Sequence, residues 1–147
     1  MTAIGLFPFY DRAIVEKVRT LTVAASPHML VMVDGTTPDG VKPTTGAAVS
    51  GVVGVINDPQ GDPNNSNAFP IGGTVNVCEV GTVPILFCAS ESVVRGNPVI
   101  AGATAGCAKM YAAEGACDII GFAEETKTIG ASPDLASVRL SLHRKFV

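Results

Sequence analysis

Four cysteines and two histidines are the residues of this 147-residue chain with the chemistry for nucleophilic catalysis or metal binding. The cysteines form two pairs with the same ten-residue separation, Cys78 with Cys88 and Cys107 with Cys117. Zinc knuckles use a shorter Cys-x₂₋₄-Cys spacing, so these pairs do not predict a zinc site. Ten residues is a suitable separation for partners across a β-hairpin, which leaves cross-strand disulfides open. Reduced, partly buried thiols are the alternative, and they are the usual state of cysteines in a cytoplasm.

A cysteine hydrolase would need one of these thiols beside a histidine base. His28 precedes a candidate strand and His143 lies on the polar face of the last one, positions at which a solvated histidine is common. The adjacent carboxylates Glu124 and Glu125 would point to opposite faces of a strand, which disfavours an acid–base dyad. The sequence contains no phosphate-binding loop, nucleophile elbow or His-Glu-x-x-His motif. We therefore predict that the chain is not an enzyme, binds no cofactor or metal and has no small-molecule substrate.

The segments that would position these side chains are short, apolar and rich in β-branched residues, with Gly- and Pro-rich turns between them. The candidate strands are Met29–Val33, Val41–Pro43, Val52–Ile56, Gly73–Val80, Thr82–Cys88, Val99–Ala101, Cys107–Tyr111, Ile119–Ala123 and residues 136–143. Gly81 marks a turn or bulge between the two central strands. This pattern predicts an all-β fold, a small barrel or sandwich of short strands.

The chain also resembles itself at a displacement of 67 residues. This shift superposes Lys42 on Lys109 and Gly54 on Gly121, and it aligns the apolar runs around them. The matched pattern predicts two similar β-halves, each too small to bury its own apolar face.

Composition and charge exclude several classes of function. Hydrophobic residues make up 47% of the chain and charged residues only 16%, against about 25% charged residues in ordinary soluble domains. Part of the apolar surface is therefore expected to lie against another protein chain. Residues 21–135 hold eleven acidic and four basic residues, which disfavours nucleic-acid binding. No apolar run is long enough for a membrane span and no signal peptide is recognisable, so we expect a chain made and kept in a cytoplasm.

The first twenty residues differ from the rest. Phe7, Phe9 and Tyr10 surround Pro8, which biases Phe7 towards extended backbone. Asp11–Val18 is expected to form a short helix. We predict an extended N-terminal arm over residues 1–20 and a single β-rich domain over residues 21–147.

Aromatic and basic residues at the two chain ends are the candidate contacts with a subunit or a larger surface. These predicted contact residues are Phe7, Phe9, Tyr10, Arg12, Arg144, Lys145 and Phe146. The alternative for the N-terminal rings is that they plug one end of the protein's own barrel, and the alternative for the basic end is a solvated tail.

Four stretches of the sequence carry a resemblance to a known family. Gly115–Glu125 followed by Ala136–Leu142 is similar to the ending of bacteriophage head-decoration (capsid cement) proteins, and Gly81–Ile85 followed by Val93–Val99 is similar to an upstream part of that family. The similarity spans residues 21–147 and leaves the first twenty residues unmatched.

The resemblance implies a small β-barrel or sandwich that forms a homotrimer on the outer surface of an icosahedral capsid. Such a protein binds the major capsid protein and cements neighbouring capsomers against internal DNA pressure. It would be made in the bacterial host cytoplasm and end on the virion exterior, with no catalytic residues. The runner-up class is a β-rich bacterial binding module for carbohydrate or peptide, for which the domain offers few aromatic side chains: Phe69, Phe87, Tyr111 and Phe122.

Overall fold

The computed structural model describes residues 14–58 and 68–145, with the backbone alone for residues 143–145. The strands are β1 (Val15–Leu21), β2 (Leu30–Val33), β3 (Gly40–Pro43), β4 (Val52–Ile56), β5 (Thr74–Phe87), β6 (Ser92–Val93), β7 (Pro98–Ala101), β8 (Ala108–Met110), β9 (Cys117–Ala123), β10 (Lys127–Thr128) and β11 (Asp134–Lys145). The described part of the chain contains strands and no helix, so the all-β prediction is confirmed. It therefore holds no helix long and apolar enough to cross a membrane.

Five pairings close the first half of the sheet into a ring, here named the N-barrel. Its strands follow the order β1, β3, β2, β4 and the first part of β5, residues 74–80. β1 runs parallel to β3, with Leu21 opposite Val41, and the other pairings are antiparallel. β5 returns to β1, with Val77 opposite Lys17, and this pairing closes the ring. Its core consists of Leu21, Ala25, Val31, Val41, Ile56, Phe69, Val75 and Val77.

The second half closes into a ring of the same kind, here named the C-barrel. Its strands follow the order β5 from residue 81 onward, β8, β7, β9 and β11. β5 runs parallel to β8, with Phe87 opposite Ala108, and the remaining pairings are antiparallel. β11 returns to β5, with Val138 opposite Val83. The two barrels therefore share the long strand β5 and have the same strand order.

The strand register confirms the two similar halves that the sequence predicts. In the N-barrel Val31 lies opposite Gly54, and in the C-barrel Val99 lies opposite Gly121. The two glycines are 67 positions apart and the two valines 68, so the halves differ by a single residue in the connection between these strands.

Gly54 and Gly121 show why equivalent positions carry the same residue. A Cβ atom on Gly54 would overlap the carbonyl oxygen of Cys78, and a Cβ atom on Gly121 would overlap the carbonyl oxygen of Arg139. Cys78 and Arg139 occupy matching places on the neighbouring strands, opposite Val55 and Phe122 respectively. Each barrel therefore brings two backbones together at a point where only hydrogen fits.

The two barrels are packed into one body by apolar contacts. Leu30, Val55 and Cys78 lie on the outer face of the N-barrel and are fully buried in the cluster that includes the C-barrel core. Leu30 pairs with Val55 on the neighbouring strand, and Val55 pairs in turn with Cys78. Paired residues on neighbouring strands point to the same face, so the three side chains lie side by side. The C-barrel thus covers part of the N-barrel's outer surface.

Hydrogen bonds also join the halves. The Gly106 N–H donates to the Thr44 carbonyl at 3.0 Å, and the Leu30 N–H donates to the Gly106 carbonyl at 2.9 Å. The Asp118 carboxylate accepts the Val52 N–H at 3.0 Å. Thr44 is fully buried, so its backbone bond satisfies polar groups that would otherwise be costly to desolvate.

Two local predictions are wrong. The helix expected over residues 11–18 is a strand from Val15 onward, so the sheet begins within the segment assigned to the arm; residues 1–13 lie outside the described residues. The central strands expected on either side of Gly81 are one continuous strand, β5. Gly81 has a φ of 127°, which lets the chain bend where β5 passes from one barrel to the other.

Candidate interaction surface

The residues considered for chemistry can be located in the described part of the protein. This part contains no cavity and no cluster of three metal-ligating side chains. Burial raises the pKa of the Cys78 thiol to about 11, and that thiol donates to the Val80 carbonyl at 3.2 Å. Burial also raises the pKa of Cys107 to about 12. Both thiols are therefore protonated at neutral pH, which makes them poor initial nucleophiles.

The other residues considered for chemistry are dispersed. His28 has a half-buried side chain whose Nδ1 atom finds no hydrogen-bond partner among the described residues. The Glu124 carboxylate pairs with Arg139 at 3.1 Å, in a partly exposed ion pair. Of the aromatic side chains that a carbohydrate platform would need, Phe69 and Phe87 are buried in the two cores.

Most of the predicted contact residues lie beyond the described part of the chain, namely Phe7, Phe9, Tyr10, Arg12 and Phe146. Arg144 and Lys145 end β11, with their backbones opposite Asp118 and Cys117 of β9. The backbone at the basic end of the chain is therefore part of the sheet up to Lys145, and the contact role of Arg144 and Lys145 stays a prediction.

An exposed apolar surface lies on the first strand, and it is here named the valine face: Val15, Val18 and Val80. Their exposed fractions are 51%, 59% and 49%. Val15 lies opposite Val80. Val18 lies opposite Asn76, which is on the outward face of β5, two positions before Cys78. The three half-exposed valines therefore lie near one another at the start of the β1–β5 ribbon, around the register shift between Val15 and Glu16.

The inward face of the same strand segment carries charge. Arg19 is only 15% exposed, and its guanidinium lies 3.4 Å from Asp39 and 3.2 Å from Glu79. Lys17 lies 3.2 Å from Asp39. Inward-pointing charges discourage an edge strand from pairing with other strands, so any partner is expected at the outer face of β1 rather than at its edge.

The C-barrel provides an internal comparison for this arrangement. Leu21 and Phe87 are equivalent, because each joins its barrel's parallel pair. Counting back two residues makes Arg19 equivalent to Ile85, which is fully buried. The outward residues of the equivalent C-barrel ribbon are half polar and half apolar: Thr82, Pro84, Leu86, Leu135, Ser137 and Arg139. The N-barrel differs at one neighbouring pair of positions, with the exposed Val18 and the charged Arg19 where the C-barrel has Pro84 and the buried Ile85.

No protein-family model and no curated protein matches this sequence. A solved structure of a phage protein shares the fold. It is the head fiber gp8.5 N base of bacteriophage phi29, which superposes with a TM-score of 0.57 at 13% sequence identity. The match covers 88% of this chain and 95% of that one, so the likeness to the phi29 head fiber base extends to both barrels.

The sequence contained the signal for the valine face, although in a different setting. The spacing of Ile14, Val15 and Val18 indicates one face of a helix, and the three residues do lie together at the start of the chain's described part. The structure places Val15 and Val18 as exposed residues of β1, next to the shared strand β5. A group of exposed apolar side chains is typical of a surface that another protein covers.

Proposed function

We propose that this chain is a structural protein of a bacteriophage virion, without enzymatic activity. It forms a homotrimer on the exterior of the head, contacts the major capsid protein and cements neighbouring capsomers. It is made in the cytoplasm of the bacterial host. The fold shared with the phi29 head fiber base and the resemblance to head-decoration proteins both support this role.

The observation that carries the proposal is the valine face. Fully burying a valine contributes about 1.5–3 kcal/mol relative to leaving it exposed, and three half-exposed valines on one ribbon leave much of that unused. The adjoining outer surface of the same barrel, at Cys78, is already covered by the C-barrel of the chain. A second copy of the protein continues that coverage, and in a trimer each copy covers its neighbour.

The N-terminal segment supplies the contact with the capsid. The described chain begins at Ile14, next in sequence to the valine face, and the proposed arm precedes it in the chain. Phe7, Phe9 and Tyr10 are the anchors, and Arg12 provides a basic flank. Buried aromatic anchors of this kind are worth about 2 kcal/mol or more each when truncated.

Deleting residues 2–12 tests the arm. The strand pairing begins at Val15, so the truncated protein should stay folded and keep its thermal midpoint within a few degrees. Its affinity for heads of the encoding phage, stripped of this protein, should fall at least about 30-fold, because two or more anchors are lost. Co-sedimentation with heads and circular dichroism give the two readings.

A full-length variant with Phe7, Phe9 and Tyr10 replaced by alanine is the matched control, because it keeps the length and charge of the arm. It should bind heads as poorly as the deletion does. If either variant instead loses thermal stability sharply, the rings plug the protein's own barrel. Undiminished head binding by both would refute the arm.

A further inference from the structure

Each barrel contains one parallel strand pair, here named its seam: β1 with β3 in the N-barrel and β5 with β8 in the C-barrel. The seam of the C-barrel has fewer paired residues than that of the N-barrel. In the N-barrel, β1 and β3 share two parallel pairs, Thr20 with Gly40 and Leu21 with Val41. In the C-barrel the corresponding strands, β5 and β8, share the single pair Phe87 with Ala108. Just after β5, the Cys88 N–H donates to the Ala108 carbonyl at 2.9 Å, and this hydrogen bond completes the seam.

Two thiols lie at this seam. Cys88 directly follows β5 and Cys107 directly precedes β8, and after burial the neighbouring Cys88 is a further cause of the raised pKa of Cys107. The Gly102 N–H donates to the Cys107 carbonyl at 2.7 Å, and a Cβ atom on Gly102 would overlap the Cys88 sulfur. The glycine therefore opens the space in which the Cys88 sulfur lies next to Cys107.

The fold itself does not require a thiol pair at this point. By the register of the two seams, the N-barrel residues equivalent to Cys88 and Cys107 are Thr22 and Gly40. The Thr22 hydroxyl donates to the Asp34 carboxylate at 2.6 Å and lies 3.3 Å from the Val41 carbonyl, so a hydrogen-bonded hydroxyl stands where the C-barrel has the Cys88 thiol. The C-barrel has two sulfur atoms in the same place.

We propose that Cys88 and Cys107 form a redox-sensitive site that is oxidised to an intramolecular disulfide by a small-molecule disulfide such as oxidised glutathione. The site is independent of the head-associated role proposed above. All four cysteines are free thiols in the structure, which corresponds to the reduced state expected in a cytoplasm.

The accessibility of the two thiols sets the order of the exchange. Cys88 is half-buried and Cys107 is buried, so the Cys88 thiolate attacks one sulfur of oxidised glutathione and releases one glutathione thiolate. Cys107 then loses its proton to that thiolate and attacks the Cys88 sulfur, which releases the second glutathione. Two protein thiols are oxidised to one disulfide, and one glutathione disulfide is reduced to two thiols.

The disulfide would close the C-barrel covalently. It joins the strand ends on either side of the shorter seam and encloses β6 and β7 in a loop. Cross-linking a loop of this length restricts the unfolded chain, so the thermal midpoint should rise by roughly 5–15 °C on oxidation.

The test uses the purified full-length protein, equilibrated in glutathione buffers of increasing oxidised fraction. Oxidation should remove the mass of two hydrogen atoms from the intact chain, and proteolytic mapping should recover a peptide that links Cys88 to Cys107. The thermal midpoint should rise together with this mass change and return on reduction.

Two variants make the result specific. Cys88→Ser should abolish both the mass change and the thermal shift, whereas Cys78→Ser combined with Cys117→Ser should keep both. Recovery of a different cysteine pair, a stable glutathione adduct without ring closure, or oxidation only in denaturant would each overturn the proposal.

Discussion

Replacing Val18 by aspartate is expected to dissociate the proposed trimer into monomers while leaving the domain folded. Val18 is 59% exposed in the isolated chain, so a carboxylate there costs the fold little. In the assembled protein the same carboxylate would be buried without a partner, which costs about 3 kcal/mol or more for each copy. Self-association should therefore weaken by at least about 100-fold. Sedimentation velocity and thermal denaturation measure the two effects separately.

Val94→Asp is the matched control for this experiment. Val94 follows β6 in the C-barrel half and is 43% exposed, so the substitution is the same and the exposure is similar. This variant should remain trimeric. A trimeric Val18→Asp protein would show that the valine face is not the contact between copies, and a monomeric Val94→Asp protein would assign the contact to another surface.

Replacing Gly54 or Gly121 by alanine is expected to destabilise the protein by about 3 kcal/mol, the upper end of the usual cost of overpacking. The added methyl group would overlap a backbone carbonyl oxygen in each case, so no side-chain rotation relieves the clash. A folded domain is stable by only about 5–15 kcal/mol, so either change removes a large share. The shift in the midpoint of urea-induced unfolding measures the loss.

Gly130→Ala is the control for the glycine variants. Gly130 is exposed and has no heavy atom within 4 Å of the added carbon, so its free energy of unfolding should change by no more than about 0.5 kcal/mol. Gly54→Ala and Gly121→Ala proteins as stable as Gly130→Ala would contradict the close packing of the two strand pairs.

Strands with strong local signals were predictable from the sequence. β4 is a run of β-branched residues between Gly51 and Asn57, and the structure begins and ends it where the sequence predicts, at Val52 and Ile56. The alternation of β11 likewise places Ala136, Val138 and Leu140 in the core. In these segments the local pattern and the tertiary burial agree.

β1 was mispredicted for a specific physical reason. Val15 and Val18 are three residues apart, a spacing that indicates a helix face. The pairing of β1 with β5 shifts register between Val15 and Glu16. The extra residue of this bulge is Glu79 on β5, because the consecutive residues Val15 and Glu16 pair with Val80 and Cys78. A periodicity analysis of β1 alone cannot reveal a pairing that the partner strand sets.

The closure of two barrels around one strand was beyond the reach of local patterns. It depends on parallel pairs such as Phe87 with Ala108, whose partners are far apart in the sequence. The same non-local pairing brings Cys88 to Cys107, although the ten-residue spacings favour other partners. The internal repeat was the available signal, because it predicts that the two halves of the chain have the same strand order.

An image of the assembled particle tests the central proposal most directly. Electron cryomicroscopy of heads of the encoding phage, with and without this protein, would show where it lies. We expect three-lobed density on the outer surface of the head, each lobe the size of one 15.0 kDa chain, with the valine faces at the contacts between lobes. Heads that look identical with and without the protein, or density on the inner surface or in separate single lobes, would contradict the proposal.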